Sequence, residues 1–263
     1  MVGNEGQDIS APEATEQVSE PDALREVFRL EGVSKGWSGE QGFALTVPAL
    51  SVRRGEKVAL VGYSGCGKST LLDILAMILR PDEAAEFVFS GGSEDGLNVA
   101  DAWRNNDLDV LARSRMRHMG YVLQTGCLFP FLTVRANIGL SRQGLGLPLQ
   151  EKVDLVAERL GIERHLEKLP AQLSVGERQR VAIARAMAHE PSVVIADEPT
   201  ASLDPITAEE IMKIFAELAG EYGVTLILAT HDWERVEEGD FRQIEFDLQQ
   251  DSSTGCVRAT VRG

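Results

Sequence analysis

At 263 residues, 43% of them apolar and 25% charged, the chain has the make-up of a globular protein with room for one large core or two modest ones. Its formal net charge of −15 argues against sequence-independent binding of nucleic acid, which needs a surplus of Lys and Arg to neutralise phosphates. Three cysteines, Cys66, Cys127 and Cys256, stand far apart in no metal-ligand pattern and read as free thiols in a reducing compartment, and no apolar run approaches the roughly 20 residues of a membrane-crossing helix.

In chain order, residues 1–25 are rich in Gly, Ser, Pro, Glu and Asp and lack the apolar stretch of an export signal; they are expected to form a disordered acidic tail. Between Phe28 and Val52, extended runs such as Phe43-Ala-Leu-Thr-Val47, joined by Gly and Pro, predict a small antiparallel β layer. Lys57-Val-Ala-Leu-Val61 reads as a buried strand, followed by a glycine-rich loop and a helix over 68–79 that Pro81 closes. A strand near 87–90 precedes an acidic, Gly- and Asn-rich stretch, about 91–109, expected as a surface loop. A helix around 111–119 and a strand at 121–123 follow. Helical apolar spacing in 133–141, 149–160 and 174–189 predicts a helical subdomain over about 125–185. The last third alternates strand (192–196), helix (207–220), strand (224–229), short helix (233–238) and a final extended segment (243–248). Such alternation predicts an α/β domain over 26–250, with a mainly parallel sheet and helices on both faces, and leaves 251–263 as a C-terminal tail.

Chemistry concentrates in three places. Gly62-Tyr-Ser64-Gly65-Cys66-Gly67-Lys68-Ser69-Thr70 fits G-x-x-x-x-G-K-[ST] directly after a strand and before a helix, the setting this phosphate-binding motif requires. Glycines at 62, 65 and 67 let successive amides turn inward toward phosphate oxygens, with Ser64, Cys66 and Thr70 completing the loop, and the positive end of the helix adds attraction. Lys68 supplies a point charge for the β- and γ-phosphates, and Ser69 offers a hydroxyl to Mg²⁺. A chance Gly-rich turn is the bland alternative, which the Gly-Lys-Ser ending makes remote. Second, Ser192-Val-Val-Ile-Ala196 followed by Asp197-Glu198 is a buried strand with two acids at its C-terminal end, where ligands of open α/β sheets bind. Asp197 is a candidate ligand of Mg²⁺ through water and Glu198 a candidate general base for an attacking water; an acidic helix cap competes with this reading of the pair alone. Third, Ser174 stands as the N-cap of a strongly amphipathic helix, a placement suited to a phosphate.

Around that serine, Leu173-Ser-Val-Gly-Glu-Arg-Gln-Arg180 resembles the LSGGQ signature of ABC ATPases, written LSGGE with a following Arg-Gln-Arg in some exporters. Over about 28–248, six motifs in the family's order identify the chain as a P-loop NTPase of ABC type. The resemblance implies that ATP and Mg²⁺ are its ligands and ATP hydrolysis its reaction. It implies that Gln124 contacts Mg²⁺ and reports to a membrane subunit, that Asp204 in Ala201-Ser-Leu-Asp204 crosses a dimer interface, and that His231 contacts the γ-phosphate. Trp37, about 25 residues ahead of Gly62, matches the adenine-stacking aromatic, where the family more often has Tyr; a core aromatic is the other reading. Ser174 and Gly176 are implied to close over ATP held by a partner, so the single motif set calls for a second copy of the chain or a related ATPase chain.

The resemblance also implies a separate integral-membrane permease that grips the region after Gln124, and hence a peripheral location on the cytoplasmic face of the inner membrane, with no nucleic-acid partner. There, Thr125-Gly-Cys-Leu-Phe129-Pro-Phe131-Leu-Thr133 offers two aromatics, free for a partner or packed on the helical subdomain. The tract 111–124 and the Glu-Arg-Gln-Arg ending look most like the subgroup serving lipoprotein release and macrolide export. Val175 departs from the family, which usually has the signature's first glycine here. A β-branched residue resists positive φ and crowds a phosphate, which predicts a slow or partner-dependent ATPase. A regulatory or mechanotransmitting ABC ATPase of a membrane complex fits the same residues. Soluble ABC ATPases acting on nucleic acid or ribosomes fit less well, lacking here their paired nucleotide domains, coiled coils or zinc modules.

Overall fold

The structure, a computed structural model, describes residues 26–37, 42–92, 96–231, 240–250 and 256–262. The expected tail 1–25 and the short helix at 233–238 lie outside the described residues.

Two long strands, β1 (Glu26–Trp37) and β2 (Phe43–Arg53), form an antiparallel ribbon from Phe28↔Val52 to Trp37↔Phe43. β3 (Lys57–Val61) then enters the interior and leads into α1 (Lys68–Leu75). β4 (Glu86–Phe89) returns antiparallel to β1, and β5 (Leu97–Asn98) pairs with β4. After α2 (Val99–Arg104) and α3 (Leu108–His118), β6 (Met119–Val122) rejoins the sheet. Over the stretch expected as a helical subdomain lie α4 (Val134–Gly144), α5 (Gln150–Arg159) and α6 (Val175–Met187). β7 (Val193–Asp197), α7 (Pro205–Glu221), β8 (Thr225–Thr230), β9 (Arg242–Gln250) and β10 (Val257–Arg262) complete the described chain.

The strands lie in the order β5-β4-β1-β2-β10-β9-β3-β8-β7-β6. From β9 to β6 every pair is parallel, as the βα alternation predicts, and the β1–β2–β4 layer is antiparallel. Both faces of the parallel strands are covered, so their sequences are near-continuous apolar runs whose alternate residues serve two cores. Val58 and Leu60 of β3 face a core shared with α1 and the antiparallel layer. Ala59 and Val61 face a second core, filled by α6, α7 and the helical subdomain. This arrangement holds the C-terminal ends of β3, β6, β7 and β8 side by side under a single cleft.

Three expectations change. Helix α1 stops at Leu75, not at 79: Met77 takes a left-handed φ of +56°, and the amides of Ile78 and Leu79 fold back onto the Asp73 carbonyl. The stretch 91–109 is not simply a loop, since β5 and α2 occupy its centre; Asn98 caps α2 by accepting from the Asp101 amide at 3.0 Å. The stretch 251–263 is not simply a tail. β10 within it lies antiparallel to β9 and parallel to β2, welding the antiparallel layer to the parallel core, with Ala259 fully buried.

Helix and sheet approach each other closely at Gly120 of β6. A Cβ there would lie 2.9 Å from the carbonyl carbon and 3.1 Å from the Cα of Ala186 in α6, so only glycine admits this packing. Among the described residues no helix is long and apolar enough to cross a membrane.

Candidate active site

The cleft is built from the β3–α1 turn outward. Gly65 and Gly67 carry φ of +79° and +103°, a region that L side chains rarely enter, and Gly67 is the N-cap of α1 without any side-chain cap. The amides of the first turn of α1 have no carbonyl one turn ahead of them, so they face the cleft as donors at the positive end of the helix. Gly62 is needed for a second reason: a Cβ there would sit 2.7 Å from the sulfur of Cys66. The Cys66 thiol is buried under the loop, and burial pushes its pKa up despite the neighbouring Lys68 charge, so it fills space as a protonated thiol.

Lys68 is 5% exposed. Its Nζ donates to the carbonyls of Gly62 at 2.7 Å and Tyr63 at 3.2 Å and lies 3.8 Å from Glu198 Oε1. The loop carbonyls thus hold the ammonium over the cleft floor, which is the geometry a phosphate-binding cation needs.

β7 delivers the two acids. Asp197 ends the strand, and Glu198 follows in a left-handed conformation, φ +45°, with its amide donating to Ala229 at 3.0 Å. Such a backbone costs of order 1 kcal/mol or more for a non-glycine residue, and here it aims the carboxylate back over the cleft. Glu198 Oε2 lies 3.3 Å from Nδ1 of His231, the residue just past β8, so one carboxylate spans Lys68 and His231. Ser64, Gly65, Gly67, Lys68, Ser69, Thr70, Gln124, Asp197 and Glu198 line one cavity of about 400 Å³.

The donors brought together by Ser69, Gln124 and Asp197 are a hydroxyl, an amide oxygen and a carboxylate. That all-oxygen set, with one carboxylate rather than a cage of several, fits Mg²⁺, which keeps waters and phosphate oxygens among its ligands. Among the described residues no cluster of three or more His, Cys, Asp or Glu gathers elsewhere as a metal cage.

Other predicted residues stand apart. Trp37 does not line the cavity; it is 42% exposed, with its ring 5.9 Å from that of Phe43 and Lys35 Nζ 5.8 Å from its centroid. Phe43 is the aromatic that does line the cavity, and its ring would meet a Cβ on Gly67 at 3.0 Å. Nothing in the sequence around Phe43 marks this, because it follows from how the antiparallel layer folds across the loop.

Ser174, Gly176 and Asp204 also lie outside the cavity lining. They form a second constellation, at the tips of α6 and α7. Ser174 Oγ accepts from the Glu177 amide at 3.2 Å, while Glu177 Oε2 accepts from the Ser174 amide at 2.7 Å and Oε1 lies 2.8 Å from His165. The Ser174 hydroxyl also bonds the Glu177 carboxylate, so the capping box engages this serine within its own helix turn and holds Glu177 below the usual carboxylate range. A Cβ on Gly176 would meet Thr207 at 3.0 Å; the Thr207 hydroxyl, and then its amide, which donates to Asp204 Oδ1 at 3.0 Å, hold the Asp204 carboxyl below its usual range. Val175 is the first residue of α6 and has no positive φ, so the expected backbone strain is absent. Its side chain instead projects from the helix tip, 47% exposed.

Sequence and structure comparisons show what the chain as a whole is similar to. The family profile described as ABC transporter matches residues 45–201, more than half of the chain. An ABC transporter ATP-binding protein of Escherichia coli strain K12, YbbA, is 39% identical over 213 residues, covering 79% of this chain and 89% of YbbA. The macrolide export ATP-binding/permease protein MacB of Syntrophobacter fumaroxidans is 41% identical over 189 residues, 70% of this chain but only 25% of MacB. Among solved structures, the post-hydrolysis dimer of the ATP-binding cassette MJ0796 bound to ADP and Pi superposes with a TM-score of 0.71 at 32% identity, covering 88% of this chain and 96% of that one.

Proposed function

The chain belongs to the ABC transporter family, and on that footing we propose that it is the ATP-binding and ATP-hydrolysing subunit that powers a separate membrane permease by closing and opening as a dimer. The observation that carries this reading is the placement of Glu198 between Lys68 and His231 at the mouth of a glycine-loop cavity. Lys68 and the first-turn amides of α1 bind the β- and γ-phosphates of ATP. Phe43, backed by Trp37, supports the aromatic side of the adenine. A Mg²⁺ held by Ser69, Gln124 and Asp197 would offset phosphate charge during transfer. Glu198 accepts the proton of the attacking water as its oxygen bonds to the γ-phosphorus and the bond to the β–γ bridging oxygen breaks, giving ADP and phosphate. His231 holds that carboxylate from the far side and turns toward the γ-phosphate.

Ser174, Gly176 and Asp204 serve the site of a second copy, or of a related ATPase chain. Their absence from the cavity lining of their own chain, and the place of Ser174 at the N-terminal tip of α6, support this. The homologue MJ0796 is itself dimeric in its post-hydrolysis state.

The permease contact is the loop after Gln124. Phe129 and Phe131 pack edge to face with centroids 5.9 Å apart, yet Phe131 remains 74% exposed rather than buried on the helical subdomain. Asn137, fully buried, fixes this loop by bonding the backbone of Phe129, Leu132 and Thr133 at 2.8–3.1 Å, so the aromatics are presented on a rigid support. MacB carries ATP-binding and permease functions in one protein, and a matching permease on a separate chain would place this subunit peripherally at the cytoplasmic membrane face.

Titration of wild type and Lys68→Ala with ATP and MgCl₂, alongside phosphate release, tests the core of this proposal. The wild type binds and hydrolyses, and the variant loses binding. A wild-type dimer with its permease that neither binds nor cleaves Mg-ATP overturns it.

A further inference from the structure

Beneath the cleft lies a polar pair that the reaction above does not use. Asp73 sits on α1 one helical turn beyond Ser69, and Tyr121 sits on β6 three residues before Gln124. The Tyr121 hydroxyl donates to Asp73 Oδ1 at 3.0 Å in a part-buried setting. β7 lies next to β6 in the sheet, with Tyr121 opposite Ile195 and Val122 opposite Ala196, and α1 packs over β7. The hydrogen bond therefore reaches from the helix across the Asp197 strand to the strand beyond it.

This pair is costly unless it does something. A part-buried carboxylate ordinarily recruits a cation, but among the described residues Asp73 forms no ion pair, and its hydrogen-bond partner is a phenol. Burial, and then the charge of Asp197, push the Asp73 carboxyl above its usual range, while burial and Asp73 itself push the Tyr121 phenol up. A Phe–Leu contact at this place would satisfy the core without either penalty. What the pair adds is direction: it fixes the separation of α1 from β6.

Resting on the reading of the cleft as a Mg-nucleotide site, we propose that Tyr121 and Asp73 are positioning residues that set the spacing between the Ser69 hydroxyl and the Gln124 amide. They thereby tune the affinity of the nucleotide-loaded site for its divalent cation. Ser69 and Gln124 stand on the two elements the bond joins, and Asp197 stands on the strand between them, so a change in that separation alters the donor set as a unit. Residues that orient metal ligands in this way commonly change metal affinity by about tenfold or more when removed.

The test is Mn²⁺ titration, followed by electron paramagnetic resonance, of the full-length protein saturated with a non-hydrolysable ATP analogue, paired with analogue binding in EDTA. Tyr121→Phe and Asp73→Ala are expected to weaken Mn²⁺ binding about tenfold. Asp73→Asn, whose amide oxygen still accepts from Tyr121, is expected to hold it within about twofold, and metal-free analogue affinity is unchanged in all three. A purely structural role would not separate the two titrations. Wild-type Mn²⁺ affinity in Tyr121→Phe overturns the proposal, as does a loss in Asp73→Asn equal to that in Asp73→Ala, which would assign the effect to charge. If Asp73→Ala fails to fold, the near-isosteric Tyr121→Phe carries the test alone. A wild type that binds no analogue refutes the nucleotide reading of the cleft instead.

Discussion

Replacing Gly120 by Ala strikes the point where β6, which leads to Gln124, touches α6, which begins at the signature serine. The glycine does not have a positive φ, so the lesion is steric alone. The new methyl carbon would lie 2.9 and 3.1 Å from the carbonyl carbon and Cα of Ala186, and even closer to its carbonyl oxygen. Carbon atoms rest at about 3.5–4.0 Å, so helix and strand must part by roughly 0.5 Å or more. The obstruction is backbone, and Val181, Ala182, Ile183 and Ala184 of α6 are fully buried around it, so no side chain can swing away. Overpacking of this kind costs about 2–3 kcal/mol, which for a domain of this size lowers Tm by roughly 4–12 °C. The assay is urea unfolding followed by circular dichroism, reading a lower midpoint at constant slope. Gly146→Ala is the control: φ is +67° but nothing lies within 4 Å, so only the left-handed backbone term of about 1 kcal/mol applies. A Gly120→Ala midpoint equal to or above that of Gly146→Ala would refute the packing argument.

Three further outcomes are expected. Glu198→Gln should lower phosphate release by at least about 10²-fold while keeping ATP, since Lys68 retains its two loop carbonyls; normal release from that variant would remove Glu198 as the base. His189, buried and with its pKa depressed to about 4 by desolvation, stays neutral in the fold while the unfolded chain takes up a proton near pH 6.5. Stability should therefore fall as pH drops from about 6.5 to 4, by up to roughly 3 kcal/mol, and the slope should flatten in His189→Gln; identical slopes in both proteins would count against this. Phe131→Glu should leave ATP binding and Tm intact, because the side chain is 74% exposed, but should release the permease from a detergent-solubilised pull-down; retention of the permease would move the docking site elsewhere.

What the sequence made legible was local. The phosphate loop, the acids at the end of β7 and the cap at Ser174 each depend on a strand or helix terminus and a few adjacent residues, and such motifs carry their geometry with them. Phe43 was hidden because its place over Gly67 depends on the packing of the antiparallel layer. β10 was hidden for a related reason, since its partner β2 is more than two hundred residues away, as in Val257↔Phe43, and leaves no local mark. By contrast, α2 carries a local mark: Asn98 is a helix-capping residue inside a stretch whose Gly and Asn content predicts a loop, and its bond to the Asp101 amide starts the helix. Val175 is the opposite case: the missing glycine predicts backbone strain, but the residue belongs to a helix, whose backbone a side chain enters without positive φ.

The welding strand has a consequence for biogenesis. Phe43 forms one wall of the cavity, yet its strand gains the β10 neighbour only after residues 257–262, more than two hundred positions later, have been made. The phosphate loop can form with β3 and α1 as they emerge, but the sheet that supports Phe43 stays open along one edge until β10 is made, a long-range closure of the kind that slows folding. An exposed edge of that length invites pairing with other nascent chains, so chaperones that shield unpaired strands would matter most for this protein until residues 257–262 emerge and pair.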